Sequence, residues 1–432
     1  MDIAVIAVGS RGDVQPPAAL ARGLAQRGHK VRFIAPSEFA FLMEGLPVEF
    51  CGLSGDVRQI LATTVSGDQN PVAILRDLVN GYREVATLWA AQAREYARAA
   101  GLLIGIGAAS LGAAVMGEAL RIPSIVGFAV PVIPTAAFPS PAFPVRLPRY
   151  TNRLQHALAF HMLWQFARPI GNRICQELFG EVLPSCRGPW QLLGRATGPV
   201  LIAVSPSVIP QPSDWTGRAE LTGYWFLDAP AWQPPRGLSD FLQAGSPPIY
   251  VGFGSMTMPR PAQMLQTITS AIERVGCRAI VSAGWAGLNP QALSSAIHAI
   301  DEVPHDWLFP RVASVVHHGG AGTTAAALRA GKPSVVVPFF SDQPFWGRRL
   351  ETLGVGAATI PHSRLSADEL AWAIERSVRM PAMRAAATRI GAAIRGENGI
   401  GLAVDRIEQA LHARQRQTRA ATVAVGALTA EA

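Results

Sequence analysis

The chain has little of what would send it into or through a membrane. No uninterrupted apolar run reaches the roughly 20 residues that span a bilayer. Residues 3–8 make only a strand's length, with no basic region leading into a long apolar stretch, so no signal peptide is expected and the expected location is the cytoplasm. Cysteine is scarce: Cys51, Cys175, Cys186 and Cys277 are the only four, and their spacing suits neither a metal site nor a disulfide framework. They read as reduced thiols. The phosphate-loop pattern GK[ST] is absent, as is any DxD pair that would hold Mg²⁺ against a diphosphate. Charged residues are only 16% of the chain and apolar ones 49%, so 432 residues can build two or three domains, each with its own core.

Acidic residues are the minority, and the formal charge is +8. That balance suits a nucleic acid, a membrane surface or an anionic ligand. No nucleic-acid motif accompanies it and the arginines are dispersed, which leaves anionic lipid or a ligand's phosphates, or a plain solvated surface. The deficit is sharpest between Ala119 and Gln176, a stretch with no Asp or Glu but with Arg121, Arg146, Arg149, Arg153, Arg168 and Arg173. Within it, prolines from Pro131 to Pro148 break a loop rich in Phe and Ala, and residues 152–179 read as a helix with a kink site at Pro169. Two readings compete. One is a flap over a binding site that also touches a membrane, since basic and aromatic residues on one amphipathic helix suit a lipid interface. The other is a helix packed on a sheet with its arginines in water.

Elsewhere strands and helices alternate. Residues 2–8 form a buried strand, a helix is expected from Pro17 to about Arg27, and residues 30–35 form a second strand. This βαβ opening predicts a doubly wound parallel sheet. A dinucleotide fingerprint fails in the loop between, because Gly9-Ser10-Arg11-Gly12-Asp13 lacks GxGxxG and projects charge where that motif needs glycine. Residues 200–204 read as the last strand of this half. A Pro-rich linker follows, and a second alternating series starts at Pro248.

The second series holds the stretch around which the chain is organised. Residues 312–316 read as a strand, His317-His318-Gly319-Gly320-Ala321-Gly322-Thr323-Thr324 as a turn, and residues 324–330 as the start of a helix. Glycines let a ligand approach the main chain, and the new helix points unpaired N–H groups and a positive dipole end at it, which suits phosphate. His318 and the threonine hydroxyls add donors. A second buried run, residues 333–339, leads to Ser341-Asp342-Gln343-Pro344. Parallel strands bind ligands beyond their carboxyl ends, so both loops open on one edge of one sheet. One offers donors to phosphate; the other offers a carboxylate and an amide to vicinal hydroxyls. Phosphate plus polyol points to a nucleotide sugar.

The ordered set PHDWLFP, HHGGAGTT and PFFSDQPFWG, spanning residues 304–347, resembles the nucleotide-binding signature of the family 1 glycosyltransferases. Within them it is most similar to bacterial and fungal sterol-type glucosyltransferases and, less closely, to enzymes that glycosylate antibiotic aglycones. The likeness covers nearly the whole chain and is weakest between about Gly52 and Pro212. It implies α/β architecture of the GT-B type: two doubly wound, Rossmann-like parallel-sheet domains facing across a cleft. The expected plan is an acceptor domain at 1–212, a linker at 213–247, a nucleotide-sugar domain at 248–395, and a helix at 396–416 crossing back. Residues 417–432 are expected to be a disordered tail.

The resemblance also implies roles. Asp13 is the candidate base for the acceptor's hydroxyl; the alternative is that it only caps the following helix. Many family members use a His–Asp pair, whereas GSRGD here follows the sterol- and antibiotic-type members. Ser10 and Arg11 would touch phosphate or position the acceptor, and Ser255 would bind a phosphate. His318 would donate to the diphosphate, with Gly320, Gly322 and Thr323 completing the cradle, while His317 is structural. Asp342 and Gln343 match the pair that holds the sugar's hydroxyls, and Val303 the position whose main chain meets the base. Trp285 would stack on that base, with an ordinary core or surface Trp as the alternative. Phe138 and Phe143, in the Pro-rich loop, together with the helix after it, would line the acceptor site. The implied reaction is an inverting transfer, without metal or cofactor, of a hexose (glucose favoured) from a UDP-sugar to a lipophilic sterol, triterpenoid or polyketide. A dTDP-deoxysugar transferase acting on an antibiotic aglycone is the alternative, and a sugar-nucleotide epimerase of the same architecture a lesser one.

Overall fold

Two parallel sheets account for the architecture. The computed structural model describes residues 1–55, 71–142, 147–229, 232–254, 261–282 and 294–430. The first sheet comprises β1 (Asp2–Ala7), β2 (Lys30–Pro36), β3 (Glu49–Leu53), β4 (Leu102–Ile106), β5 (Ser124–Phe128), β6 (Val200–Ile202) and β7 (Ala219–Leu221). Their spatial order is β3-β2-β1-β4-β5-β6-β7. The second comprises β8 (Ile249–Gly252), β9 (Ala279–Ser282), β10 (Ile297–Ile300), β11 (Val315–His317), β12 (Ser334–Val336) and β13 (Gly356–Thr359), ordered β10-β9-β8-β11-β12-β13. The strands are near-continuous apolar runs because helices cover both faces; β4 is buried at every position.

The strand order reverses between β1 and β4 and again between β8 and β11, and such reversals open crevices beyond the carboxyl ends of the strands. Gly9 and Ser10 follow β1. Gly254 and His318 follow β8 and β11, whose register pairs His317 with Gly252. The residues singled out in the sequence therefore stand at both switch points.

Three boundaries differ from expectation. β7 belongs to the first sheet, so that domain reaches past Pro212 into the expected linker; a three-residue strand among prolines leaves no periodic signal. The opening helix runs Arg11–Gln26 rather than from Pro17, with Pro16 and Pro17 inside it. The last helix runs Gly399–Ala430, through residues whose composition suggests a disordered tail; its alanines favour helix.

That last helix packs into the first domain. Ala403, Val404, Ile407 and Leu411 join the core built by Leu20 and Leu24. At Gly23 a β-carbon would collide with Ile400. Arg406 forks onto Glu220 at 2.7–2.8 Å. The two domains also share a core, in which Ile202, Val204 and Trp215 meet Phe345, Trp346 and Leu350. Polar ties border this seam: Arg349 Nε donates to Val208 O at 2.6 Å, and Ser205 and Ser207 donate to Glu397 at 2.6 and 2.9 Å. Among the described residues no helix is long and apolar enough to cross a membrane.

Candidate active site

Ser10 caps the opening helix and Asp13 occupies its third position. The N–H and Oγ of Ser10 both donate to Asp13 Oδ2 at 2.8 Å, the returning half of a capping box. Gly9, at φ +127°, lies beneath; a β-carbon there would run into the Asp13 carboxylate, so glycine answers both the torsion and the contact. Cap and base are thus compatible roles for Asp13, because the cap fixes where the carboxylate points. Its surface is exposed, yet it stands on the cleft wall, where surrounding protein displaces bulk water. That burial raises its pKa, and the Ser10 hydrogen bonds oppose the rise.

Across the cleft the His318 ring lies between two glycines. A β-carbon on Gly254 would sit 3.2 Å from its Cε1, and one on Gly320 would overlap its Nε2. Gly320 is thus required by the histidine itself. It is the N-cap of the helix Ala321–Arg329 and brings no capping side chain, so the first amides, including those of Gly322 and Thr323, have no acceptor within the helix. His318 Nδ1 and Thr324 Oγ1 are buried with no hydrogen-bond partner among the described residues. Leaving each so costs about 1–3 kcal/mol. Burial lowers the His318 pKa to about 4, so the ring is neutral at ordinary pH and donates from one nitrogen. His317 is fully buried in β11. Its Nδ1 accepts from Gly319 N at 3.1 Å, which puts its proton on Nε2 and gives it a structural task.

Asp342 heads the helix Gln343–Thr352. Trp346 Nε1 donates to its Oδ2 at 2.7 Å. Burial raises the Asp342 pKa to about 6; the bonds from Trp346 and Ser341 oppose this, and the Asp13 charge adds to it. Ser341 holds φ +59°, a left-handed torsion that costs a non-glycine residue on the order of 1 kcal/mol. Gln343 is not equivalent to its neighbour: it is buried, and its Oε1 accepts from Phe339 N at 2.7 Å and Phe340 N at 3.2 Å. Its carbonyl shapes the loop.

Arg11 crosses the cleft mouth. Its Nη1 meets Glu302 Oε2 at 2.9 Å, beside half-buried Val303, and its Nε donates to Gln15 at 3.1 Å. Both partners of this ion pair are exposed, so it holds the guanidinium only weakly. His305 stacks on Phe309 at 4.3 Å, with a pKa lowered to about 3 by burial and then by Arg11 and His318. Asp306 accepts from Ala229 N at 3.0 Å and so moors the linker. The structure gathers Asp13, Ser10, Arg11, Val303, His318, Gly320, Gly322, Thr323, Asp342 and Gln343 on the two walls. Ser255, Trp285 and Phe143 lie outside the described residues.

Phe138 is half-buried, with its ring 5.7, 5.9 and 6.0 Å from those of His156, Trp215 and Phe345, which sets it at the domain seam. The Pro-rich loop around it is fixed from afar. Asp214 accepts from Thr135 Oγ1 at 2.7 Å and Ala136 N at 2.9 Å, Asn152 Nδ2 donates to Ala136 O at 3.0 Å, and Trp215 Nε1 donates to Pro134 O at 3.2 Å. The helix Asn152–Phe179 buries Asn152, His156 and Trp164 and leaves the opposite face in water.

Sequence reasoning missed Glu302, Trp346 and Asp214. One had a signal: Trp346 stands four residues after Asp342 on one helix face. Glu302 and Asp214 had none, since their partners are remote in sequence.

Comparison with known proteins agrees with this geometry. Residues 3–139 match the glycosyltransferase family 28 N-terminal domain, and residues 268–398 match the erythromycin biosynthesis protein CIII-like C-terminal domain. Sterol 3-beta-glucosyltransferase UGT80A2 of Arabidopsis thaliana is 34% identical over 94% of this chain and 64% of its own length. UGT80B1 of the same plant is 33% identical over 94% of this chain and 67% of its own. A sterol 3-beta-glucosyltransferase of Emericella nidulans is 32% identical over 97% of this chain, which spans only 30% of that relative. Among solved structures, the glycotransferase of kitacinnamycin superposes with a TM-score of 0.71 at 19% identity over 95% of this chain and 98% of its own. Glycosyltransferase VinC in complex with dTDP gives 0.67 at 17% identity over 95% and 100%. These structural likenesses show the fold.

Proposed function

Because this chain belongs to the family 1 glycosyltransferases of the GT-B fold, we propose that it moves a hexose, glucose by preference, from a UDP-sugar to a hydroxyl of a lipophilic, sterol-like acceptor. The observation that carries the reading is the uncapped helix start at Ala321, with His318 held between Gly254 and Gly320 beside it and the Asp342 loop after the next strand. The printed names of the plant and fungal relatives support the sugar and the acceptor class.

The acceptor oxygen attacks the anomeric carbon, the bond from that carbon to the diphosphate oxygen breaks, and the electron pair leaves with the diphosphate. The acceptor's proton passes to Asp13. An alcohol is a poor acid, so proton transfer accompanies attack, and a base with a raised pKa serves better than an ordinary carboxylate. The amides of Gly322 and Thr323, with His318, meet the charge that grows on the leaving group. Asp342 accepts from sugar hydroxyls. One displacement inverts the anomeric carbon, and no step calls for a metal.

Mass spectrometry of products from a donor-by-acceptor panel tests it. Sterol, triterpenoid or polyketide alcohols heavier by one hexosyl group, with UDP released, are expected. Conversion of UDP-N-acetylglucosamine to an isomer with no acceptor present would instead support an epimerase and overturn the reading.

A further inference from the structure

The helix Asn152–Phe179 is two-faced in an unusual way. Asn152, His156, Ala159 and Trp164 turn inward. Leu154, Leu158, Met162 and Leu163, with Leu147 and Tyr150 just before them, are between 43% and 87% exposed. Positions 154, 158 and 162 succeed one another at i+4 and so form one stripe along the helix, with Tyr150 in the turn just before it. Six of the large exposed apolar side chains of the molecule fall within seventeen residues of each other, more than scattered surface leucines would give.

Along the segment that carries the stripe, charge has one sign. Arg149, Arg153 and Arg168 are exposed on this segment, and no Asp or Glu occurs from Ala119 to Gln176. Asp214, beside Arg153, is committed to Thr135 and Ala136. An apolar stripe flanked by arginines matches an interface of apolar tails beneath anionic headgroups: the leucines enter the headgroup boundary and the guanidinium groups stay at the phosphates.

We propose that this face docks on an anionic lipid bilayer, with the helix lying in the plane of the interface. The stripe faces away from the shared core and belongs to the domain whose Pro-rich loop it braces, so docking would present that domain to molecules dissolved in the membrane. That last consequence rests on the proposed function; the docking itself does not.

Co-flotation of the full chain with vesicles tests it, comparing pure phosphatidylcholine with the same lipid containing phosphatidylglycerol. Binding to the anionic vesicles is expected, at least tenfold weaker on neutral ones and weakened by added salt. Leu154→Glu combined with Leu158→Glu should reduce binding at least tenfold while thermal melting is unchanged, because both side chains already face water. Arg149→Ala with Arg153→Ala should remove the preference for anionic lipid. Absence of vesicle binding, or binding indifferent to the leucine pair, overturns the proposal. So does a dimer in light scattering that the leucine pair dissociates, which would assign the stripe to a second copy. Transfer to a detergent-dissolved acceptor, measured in parallel, separates the outcomes. Transfer without vesicle binding removes only the docking face, whereas vesicle binding without transfer removes only the enzymatic reading.

Discussion

The two walls of the cleft are braced in different ways. On the wall that follows β11 and β12, each functional group is held by residues within a few positions of it. His318 lies against Gly320, Asp342 is fixed by Trp346, and Gln343 braces Phe339. The loop of the opposite wall, from Pro131 to Ser140, is held by Asp214 and Trp215, some eighty residues later, and by Asn152 on the long helix. Local bracing keeps chemistry and support in one short motif. Remote bracing leaves the loop sequence nearly silent about its own shape.

The sharpest break in that comparison is at Asp13, which stands on the acceptor side but is locally braced. Asp13→Asn should lower transfer by roughly 10²–10⁴-fold, the usual worth of general-base assistance. UDP binding should hold, because the amide oxygen can still accept from Ser10. Single-turnover kinetics with calorimetry checks this, and a variant within a few-fold of the parent would take Asp13 out of the mechanism.

Next comes the division of labour within the locally braced wall. His318→Ala should weaken UDP binding about tenfold, roughly the worth of one hydrogen bond to a charged group. Asp342→Ala should leave UDP affinity nearly unaltered and blur the choice among UDP-sugars. Equal losses of UDP affinity in titration calorimetry would show that the two loops share one task.

The remote brace is tested by Asp214→Ala. Thr135 Oγ1 and Ala136 N lose their acceptor, at about 1–3 kcal/mol for groups that become buried and unpaired, less to the extent that water reaches them. The acceptor KM should rise several-fold with the donor KM steady. A change confined to the donor would sever this loop from acceptor binding.

The smallest effect concerns pH. Asp342 titrates near pH 6 in the folded chain and near 3.8 when unfolded. A raised acid pKa means that the folded chain binds the extra proton. The stabilising contribution is therefore full below about pH 4 and fades as pH rises through 6. Asp342→Asn keeps an acceptor for Trp346 and cannot ionise. Without ligand it should be more stable than the parent at pH 7.5, on the order of 1 kcal/mol, with the gap closing by pH 4. Melting curves at the two pH values decide; a gap of the same size at both would exclude ionisation as its source.

Legibility followed the same divide. The βαβ alternation and apolar strands announced two parallel sheets, because a strand buried on both faces must be apolar along its whole length. The glycine turn, His318 and Asp342 were readable because their supports are neighbours in the chain. The start of the first helix was misplaced, since Pro16 and Pro17 resemble a first turn while the Ser10–Asp13 cap that begins the helix is only a spacing. The surroundings of Phe138 were not legible, because its neighbours Trp215 and Phe345 come from distant segments and only folding sets it at the seam. The sequence by itself determined the two sheets, the phosphate-suited turn and the family. Tertiary structure alone decided that Arg11 reaches Glu302, that Asp214 holds Thr135 and Ala136, and which face of the long helix is left to water. Periodicity and caps are set by adjacent residues, whereas contacts between segments follow from how the sheets and helices pack.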